Sequence, residues 1–467
     1  MIHIPRSLQL GRIILTLIMI LAVVLAISCV KEGHDWGGDF SLYIAQAQAI
    51  LNGTVEVLYE ENKFMVLHSS KFAGPYLYPF GFPVLLSGIY YIVGLDFVAL
   101  KLFCTVFFIA SLPLIYGLAK KDTPKAFLAL VPVAGVAFHP VFLQFSDGVQ
   151  ADFPYLFFSL LALWLMDRAN GLKDQLVLGI VIFLSFWIRD VGVLLLPALF
   201  TWQVQRYGRH WNKISPHRWW LLSCPYLVFT VLFIANSLIL PYGGENHMDK
   251  IMNGFSSGSM FHNFDYYLSK GLHYLYLNRT WPALLMIGFL TVTGMIAVAR
   301  TQLYLAVYFM LVSLVLVTWP FLQNFRYLMP IIPLYLYFLV RGVAFVSKAL
   351  QGEKWIYPGL ILITLVHSYI GVKRTISYWD HNSNHAVAPG MIEIYRYVQD
   401  NVTDQDIIGF HKPRVLRLFT GKRTVNTDLD HFAASRANYL LQEKTGQARL
   451  YYPVVFEWEH YVLLKKE

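Results

Sequence analysis

Long apolar runs alternate with short polar connectors over most of this 467-residue chain. A hydrocarbon core of roughly 30 Å takes about 20 residues of helix, so the runs predict spans at 13–30, 96–118, 127–145, 153–167, 175–189, 191–205, 219–240, 282–299, 302–319, 327–347 and 355–371, about eleven in all. The first run is long for a signal peptide and lacks a small-residue cleavage pattern, so it reads as a retained span. A further run, 78–94, carries Pro79, Gly81, Pro83 and Gly88. So many helix breakers predict a broken or re-entrant helix that returns to the side it came from.

Two stretches break the rhythm. In "HDWGGDFSLYIAQAQAILNG", residues 34–53, Phe40, Tyr43, Ile44 and Ala47 recur at helical spacing and Asn52-Gly53 ends the pattern, which predicts a helix with one apolar stripe. After residue 371 the composition turns polar. "MIEIYRYVQDNV" repeats apolar residues (Ile392, Tyr395, Val398) at helical spacing, and "DIIGF", "RLYYPVVF" and "HYVLLKK" read as strands. The expected fold is therefore an all-α polytopic membrane module, residues 1–371, followed by a small α/β soluble domain, residues 372–467.

Composition agrees with a membrane protein: 57% of residues are hydrophobic, 14% are charged, and the mean hydropathy is +0.50. A net charge of +9 could suggest nucleic acid. The basic residues instead fall in short clusters around Lys120, Arg168, Arg206 to Arg218, Arg300 and Arg341 to Lys354, and with the N-terminus inside every cluster lies on one face. That excludes a nucleic-acid partner and predicts an integral membrane protein with a cytoplasmic N-terminus. The opposite, extracytoplasmic face receives the loops 31–95, 145–152 and 241–281, the turn 320–326 and the C-terminal domain. No Cys spacing suggests a disulfide framework or a metal site, and no phosphate-binding glycine loop or nucleophile elbow is present.

Chemistry is to be sought on that outer face. Asp39 fits a helix N-cap, and equally a general base at the membrane surface. Asp147 and Asp152, in "FSDGVQADFPYLFF", stand at a junction of two spans and offer the same two readings, so that carboxylates from two loops could share a divalent metal or divide acid and base roles. Arg326, in "FRYLMPIIP", lies at a span end and suits a bidentate clamp on phosphate. Arg189, in "FWIRDVGVLLLP", sits between two apolar runs with Asp190 as a neighbouring counter-charge. Asp35 precedes the amphipathic helix without a role of its own.

The order of "GGDFSLYIAQAQAILNG", "YPFGFPVLLSGIYYIVG", "FSDGVQADFPYLFF", "WIRDVGVLLLP", "FRYLMPIIPLYL" and the tail "YRYVQDNVTDQDIIG…LFTGKRTV" resembles the GT-C superfamily of polytopic glycosyltransferases, near its protein O-mannosyltransferase-like and lipid A aminoarabinose transferase-like bacterial branch. The resemblance implies a hexosyl- or pentosyltransferase of the bacterial cytoplasmic membrane. It would use a polyprenyl-phosphate-sugar donor and a lipid, glycan or protein acceptor on the extracytoplasmic face, and transfer the sugar with inversion. It places Asp39 at the catalytic acidic position, Asp152 at an auxiliary acidic position and Arg326 near the donor phosphate, with Arg189 as a helper; it fixes no cofactor and is compatible with a divalent metal. One departure is that the acidic pair often found in the first loop of such proteins is Asp39-Phe40 here. The competing expectation is a flippase or transporter of a lipid-linked sugar, against which stands the absence of a visible internal repeat.

Overall fold

A computed structural model describes residues 6–208, 214–240, 257–320, 322, 325–379, 384–444, 452–458 and 460–466. The outer loop 241–281 is thus described only from residue 257 onward. The helices are α1 (Arg6–Cys29), α2 (Gly38–Asn52), α3 (Val55–His68), α4 (Gly81–Val93), α5 (Phe97–Lys120), α6 (Leu130–Ala137), α7 (Pro140–Phe145), α8 (Asp152–Met166), α9 (Leu172–Ile188), α10 (Leu195–Tyr207), α11 (Pro216–Ile239), α12 (Ser257–Tyr274), α13 (Trp281–Thr318), α14 (Ile332–Ala349), α15 (Glu353–Tyr378), α16 (Pro389–Asn401), α17 (Pro413–Thr420) and α18 (Leu429–Phe432). Six of the described helices, α1, α5, α11, α13, α14 and α15, are long and apolar enough to cross a membrane. The chain is an integral membrane protein of helical architecture carrying a small mixed sheet near its C-terminus.

Each predicted span coincides with helix, but one is shaped by breaks that hydropathy does not show. The 127–145 run is split into a 3-10 turn at Ala126–Ala129, α6 and α7. The runs 282–299 and 302–319 form one element, α13, with non-helical torsions at Gln302 (φ −140°, ψ 42°). In a straight helix Gly294 and Phe309 would stand about 22 Å apart at 1.5 Å per residue. Yet Gly294 lies against the Phe338 carbonyl and Phe309 packs 5.5 Å from the Phe338 ring. The chain therefore folds back at Gln302 and α13 is two spans clasping α14. Buried Gln302 holds the turn by donating to the Leu118 carbonyl at 3.3 Å and accepting from the Tyr337 hydroxyl at 2.5 Å.

Helix α4 has 13 residues, about 20 Å at the same rise, well short of a bilayer core. Its first residue, Gly81, lies so close to the Trp187 and Ile188 backbone that a Cβ there would come within 2.6 Å of it. Only glycine permits this docking onto the end of α9, which brings the 78–82 stretch beside Arg189.

Helix α2 differs from its expected single stripe. Phe40, Tyr43, Ile44 and Ala47 are buried as the spacing requires, but so are Ser41, Leu42, Gln46 and Ala49. The reason is that α4 covers one side of α2 and α17, from the C-terminal unit, another. Gly53 closes the helix in the left-handed region at φ 66°.

In the C-terminal unit, β1 (Ile407–Gly409), β2 (Arg423–Val425), β3 (Tyr439–Glu443), β4 (Val454–Trp458) and β5 (Tyr461–Lys465) form one sheet in the order β2-β1-β3-β5-β4. The β1 strand is parallel to both neighbours, and β3, β5 and β4 are antiparallel. Strands β1, β4 and β5 lie in the three predicted segments; β2 and β3 are short additions whose sequences carry no alternation. The buried stripe of α16 includes Tyr395 and Val398 as expected, joined by Met391 and Ile394, whereas Ile392 is 38% exposed.

Candidate functional site

At one end of the helical bundle four charged side chains meet. Arg326, on a 3-10 turn at Phe325–Leu328, points between two carboxylates. Its Nη1 donates to Asp39 Oδ2, and its Nε donates to Asp152 Oδ2 at 3.0 Å and Oδ1 at 3.3 Å. Arg189 completes the group, its Nη2 lying 2.8 Å from Asp152 Oδ1. Asp152 is thus clamped between two guanidinium groups, while Arg326 bridges both carboxylates. Such pairing is what makes four charges tolerable beside an apolar bundle.

The chain delivers these groups from separate elements. Asp39 stands in the first turn of α2 and Asp152 in the first turn of α8. Arg189 is the extended residue (φ −148°, ψ 129°) at which α9 ends and reverses through a 3-10 turn, Asp190–Leu194, into α10. Gly192 in that turn is packed against the Ser185 and Phe186 backbone, which keeps the reversal tight and aims Arg189 at Asp152. The Tyr327 ring supports the Arg189 guanidinium at 5.5 Å, within the range of a cation–π contact.

The capping readings of Asp39 and Asp152 give way. The residues at the two N-cap positions are Gly37 and Ala151, and neither helix has a side-chain cap. Asp39 instead accepts from the Tyr78 hydroxyl and from Arg326. Its pKa is set by opposing influences. Burial alone raises it, but Arg326, the Tyr78 hydroxyl and Arg414 together hold the carboxyl down at about 2. Asp39 is therefore an ionised carboxylate under ordinary conditions, and its basicity is set by whether Arg326 stays on it.

Exposure separates the two acids. The Asp39 side chain is 26% exposed and that of Arg326 19%, whereas Asp152 is 2% exposed. A ligand can reach Asp39 and Arg326; Asp152 is an internal anchor for the two arginines.

Asp147 has other partners. Its Oδ1 accepts from the fully buried Lys101 Nζ at 2.7 Å and from the Lys31 backbone N–H at 2.7 Å. The same ammonium donates to the Lys31 carbonyl at 3.0 Å and to the Gly33 carbonyl. Next to it, His34 accepts the Val149 N–H at Nε2 and meets the Asp35 carbonyl at Nδ1, so the proton sits on Nδ1. Burial, reinforced by Lys101, pushes His34 down to about 4, so it stays neutral. These contacts fix residues 31–35 and, through the His34 ring stacked 3.8 Å from Phe40, the start of α2.

Three contributors escaped sequence reasoning. Lys101 was legible as a lone charge inside an apolar span, a placement that demands a partner. Tyr78, stacked 4.5 Å from Tyr43, had no signal beyond its place before α4. Arg414 comes from the C-terminal unit: it reaches the Pro75 carbonyl and lies close enough to Asp39 and Tyr78 to act on the ionisation of both.

Two carboxylates face three guanidinium groups here, with Arg189 Nε buried and lacking a hydrogen-bond partner among the described residues. The surplus of fixed donors suits an anion with several oxygens. Among the described residues no three His, Cys, Asp or Glu side chains gather as metal ligands. The two carboxylates near enough to share a cation, Asp39 and Asp152, both face Arg326.

No sequence-family model and no curated protein matches the chain. Solved structures do. ArnT from Cupriavidus metallidurans in its apo state is similar with a TM-score of 0.59 at 13% identity, over 96% of this chain and 97% of ArnT. The same protein bound to undecaprenyl phosphate gives 0.58 at 12% identity, again over 96% and 97%. The archaeal oligosaccharyltransferase AglB from Archaeoglobus fulgidus, in complex with an inhibitory peptide and a dolichol-phosphate, gives 0.54 at 9% identity, over 92% of this chain and 69% of AglB. At these identities the likeness concerns the fold alone, and it extends over nearly the whole of this chain.

Proposed function

We propose that the protein is a glycosyltransferase that moves a sugar from a polyprenyl-phosphate carrier to an acceptor on the extracytoplasmic face of a bacterial cytoplasmic membrane, with inversion. The observation that carries this reading is Arg326 bridging Asp39 and Asp152 at the bundle end, in a fold shared with a protein solved with undecaprenyl phosphate. A lipid-phosphate donor suits the setting, because its tail needs the bilayer and its head group meets the arginines.

In this reading the donor phosphate takes Arg326 away from Asp39 and also engages Arg189. Freed of its cation, Asp39 becomes a stronger base, since burial then dominates its pKa. The acceptor oxygen attacks the anomeric carbon as its proton passes to Asp39. The bond from that carbon to the phosphate oxygen breaks on the opposite side, its electron pair stays with the leaving polyprenyl phosphate, and the two guanidinium groups neutralise the added negative charge. Asp152 holds both arginines in place. The module 1–371 supplies donor site and base, and the domain 372–467 closes the site from the extracytoplasmic side with Arg414.

The test uses the full-length protein in vesicles with labelled polyprenyl-phosphate sugar and an envelope glycolipid extract as acceptor. Transfer releases polyprenyl phosphate and moves label to the acceptor, and Arg326→Ala weakens donor binding at least tenfold. Label that crosses the bilayer while remaining on its lipid identifies a flippase and overturns the reading.

A further inference from the structure

Helix α17 carries two arginines, Arg414 and Arg417, one turn apart on one face. Both enter a cavity of about 260 Å³ enclosed by α2, α3 and α17, whose wall also includes Ser41, Gln48, Asn52 and Asn62. Arg414 is 9% exposed, and its Nη2 donates to the Pro75 carbonyl. Arg417 Nη2 stands 3.9 Å from Glu61, the acidic group beside it, while Arg423 holds Glu61 more closely at 3.1 Å. Arg414 Nε and Arg417 Nη1 are buried and have no hydrogen-bond partner among the described residues. Burial holds both guanidinium groups below their usual range.

Buried, unsatisfied guanidinium donors beside a polar void are costly unless a ligand completes them. Their fork geometry matches an oxyanion, which accepts two parallel hydrogen bonds. The rest of the wall combines the neutral amides and hydroxyl with apolar side chains such as Leu42, Val57, Leu58 and Leu418, a mixture that suits the polar and C–H surfaces of a sugar or similar group. The cavity lies near the proposed base: Ser41 and Leu42 on its wall come two and three residues after Asp39 in α2, and Arg414 influences both Asp39 and Tyr78.

Building on the glycosyl-transfer reading above, we propose that this cavity is the acceptor's anion subsite, in which Arg414 and Arg417 hold a phosphate or carboxylate of the acceptor while its attacking oxygen reaches Asp39. Donor and acceptor then have separate clamps, Arg326 with Arg189 for one and Arg414 with Arg417 for the other. The C-terminal unit selects an acidic acceptor over a neutral one.

The cysteines of the chain, Cys29, Cys104 and Cys224, are buried, so Asn52→Cys in the full-length protein gives a single reporter at the cavity wall. Inorganic phosphate, glucose 1-phosphate and glucuronate are each tested for slowing its reaction with a neutral maleimide, with glucose as the uncharged control. The expected result is at least tenfold protection by one or more of the anions and none by glucose, with protection lost in Arg414→Gln/Arg417→Gln and partly kept in Arg417→Lys. The arms separate a phosphate from a carboxylate. In the transfer assay Arg417→Gln raises KM for an acidic acceptor at least tenfold and leaves KM for the donor unchanged. Labelling that no anion slows, or protection that survives the double variant, overturns the subsite. Protection without any sugar transfer keeps the anion site and removes the glycosyltransferase reading instead.

Discussion

Two ion pairs near the same end of the molecule have opposite characters. Lys101 and Asp147 are 0% and 4% exposed, and every contact around them ties down the chain between α1 and α2. Arg326 and Asp39 are 19% and 26% exposed, and Arg326 has a second carboxylate to hold it when the first is taken. A closed pair with all its hydrogen bonds made can only support structure. An open pair whose cation has an alternative anchor can exchange one partner for a ligand.

Substituting each pair should therefore split activity from stability. Asp39→Asn keeps the shape and the capacity to accept from Tyr78 and Arg326, so the melting temperature should fall much less than on opening the closed pair, while sugar transfer falls about 10²- to 10⁴-fold, the range of a lost general base. Initial rates and thermal denaturation of the purified protein decide it; a full transfer rate would mean that Asp39 only anchors Arg326. Lys101→Met should do the reverse. It strands Asp147 in a buried site at a cost of about 3–5 kcal/mol, whereas removing both charges is far milder. Denaturation in detergent should show a large loss for Lys101→Met and partial recovery in Lys101→Met/Asp147→Leu, since the Lys31 and Gly33 carbonyls remain without their donor. A single variant that melts like wild type would erase the contrast between the two pairs.

The contrast was only partly legible in the sequence. Apolar run lengths place the spans because a bilayer imposes a length on every helix, and the order of motifs brings Asp39, Asp152, Arg189 and Arg326 under consideration. What the pattern lacks is direction. Asp147 and Asp152 stand in one short segment with the same local chemistry, yet one closes onto Lys101 and the other onto two arginines. That choice depends on which helix lies opposite, a matter of tertiary packing. The gap at Arg300 between two apolar runs marks the reversal near Gln302, but the split of 127–145 into α6 and α7 is hidden, because hydropathy records burial in lipid or protein without recording where the backbone turns. Arg414 was the least accessible, because its part in the site exists only once the C-terminal unit docks on α2.

A subtler probe is the pH dependence of kcat/KM. With Arg326 in place Asp39 titrates at about 2, so between pH 4 and 8 it stays ionised and contributes no acid limb to the free enzyme. Arg326→Gln removes the largest influence that lowers this pKa and leaves burial, which raises it, opposed only by the Tyr78 hydroxyl and Arg414. Asp39 then gains a proton at higher pH, and the residual activity should decline as pH falls through the region of about 4–6. Arg326→Lys, which keeps a charge without the fork, should fall between. The same depressed pKa contributes stability that is present above the ordinary carboxylate value of about 3.9 and is lost as pH drops toward 2. An Arg326→Gln profile as flat as wild type would show that the pair does not control the base.

The smallest effect is expected four residues upstream, at Asp35. Its side chain is 60% exposed, accepts the Trp36 N–H at 2.7 Å and meets His385 Nδ1 at 3.0 Å. Trp36 in turn packs edge-on against Phe410 and His411 of the C-terminal unit, so the role open to Asp35 is to steady that contact from the surface. Exposed pairs of this kind contribute about 0–1 kcal/mol. Burial disfavours its ionised form, but His385 and the Trp36 N–H lower the pKa overall, so even this contribution is present above the usual carboxylate range and fades as pH falls. Asp35→Asn should leave transfer within about twofold of wild type. A tenfold loss would place Asp35 at the reaction centre and show that exposure does not separate the working carboxylate from its neighbours.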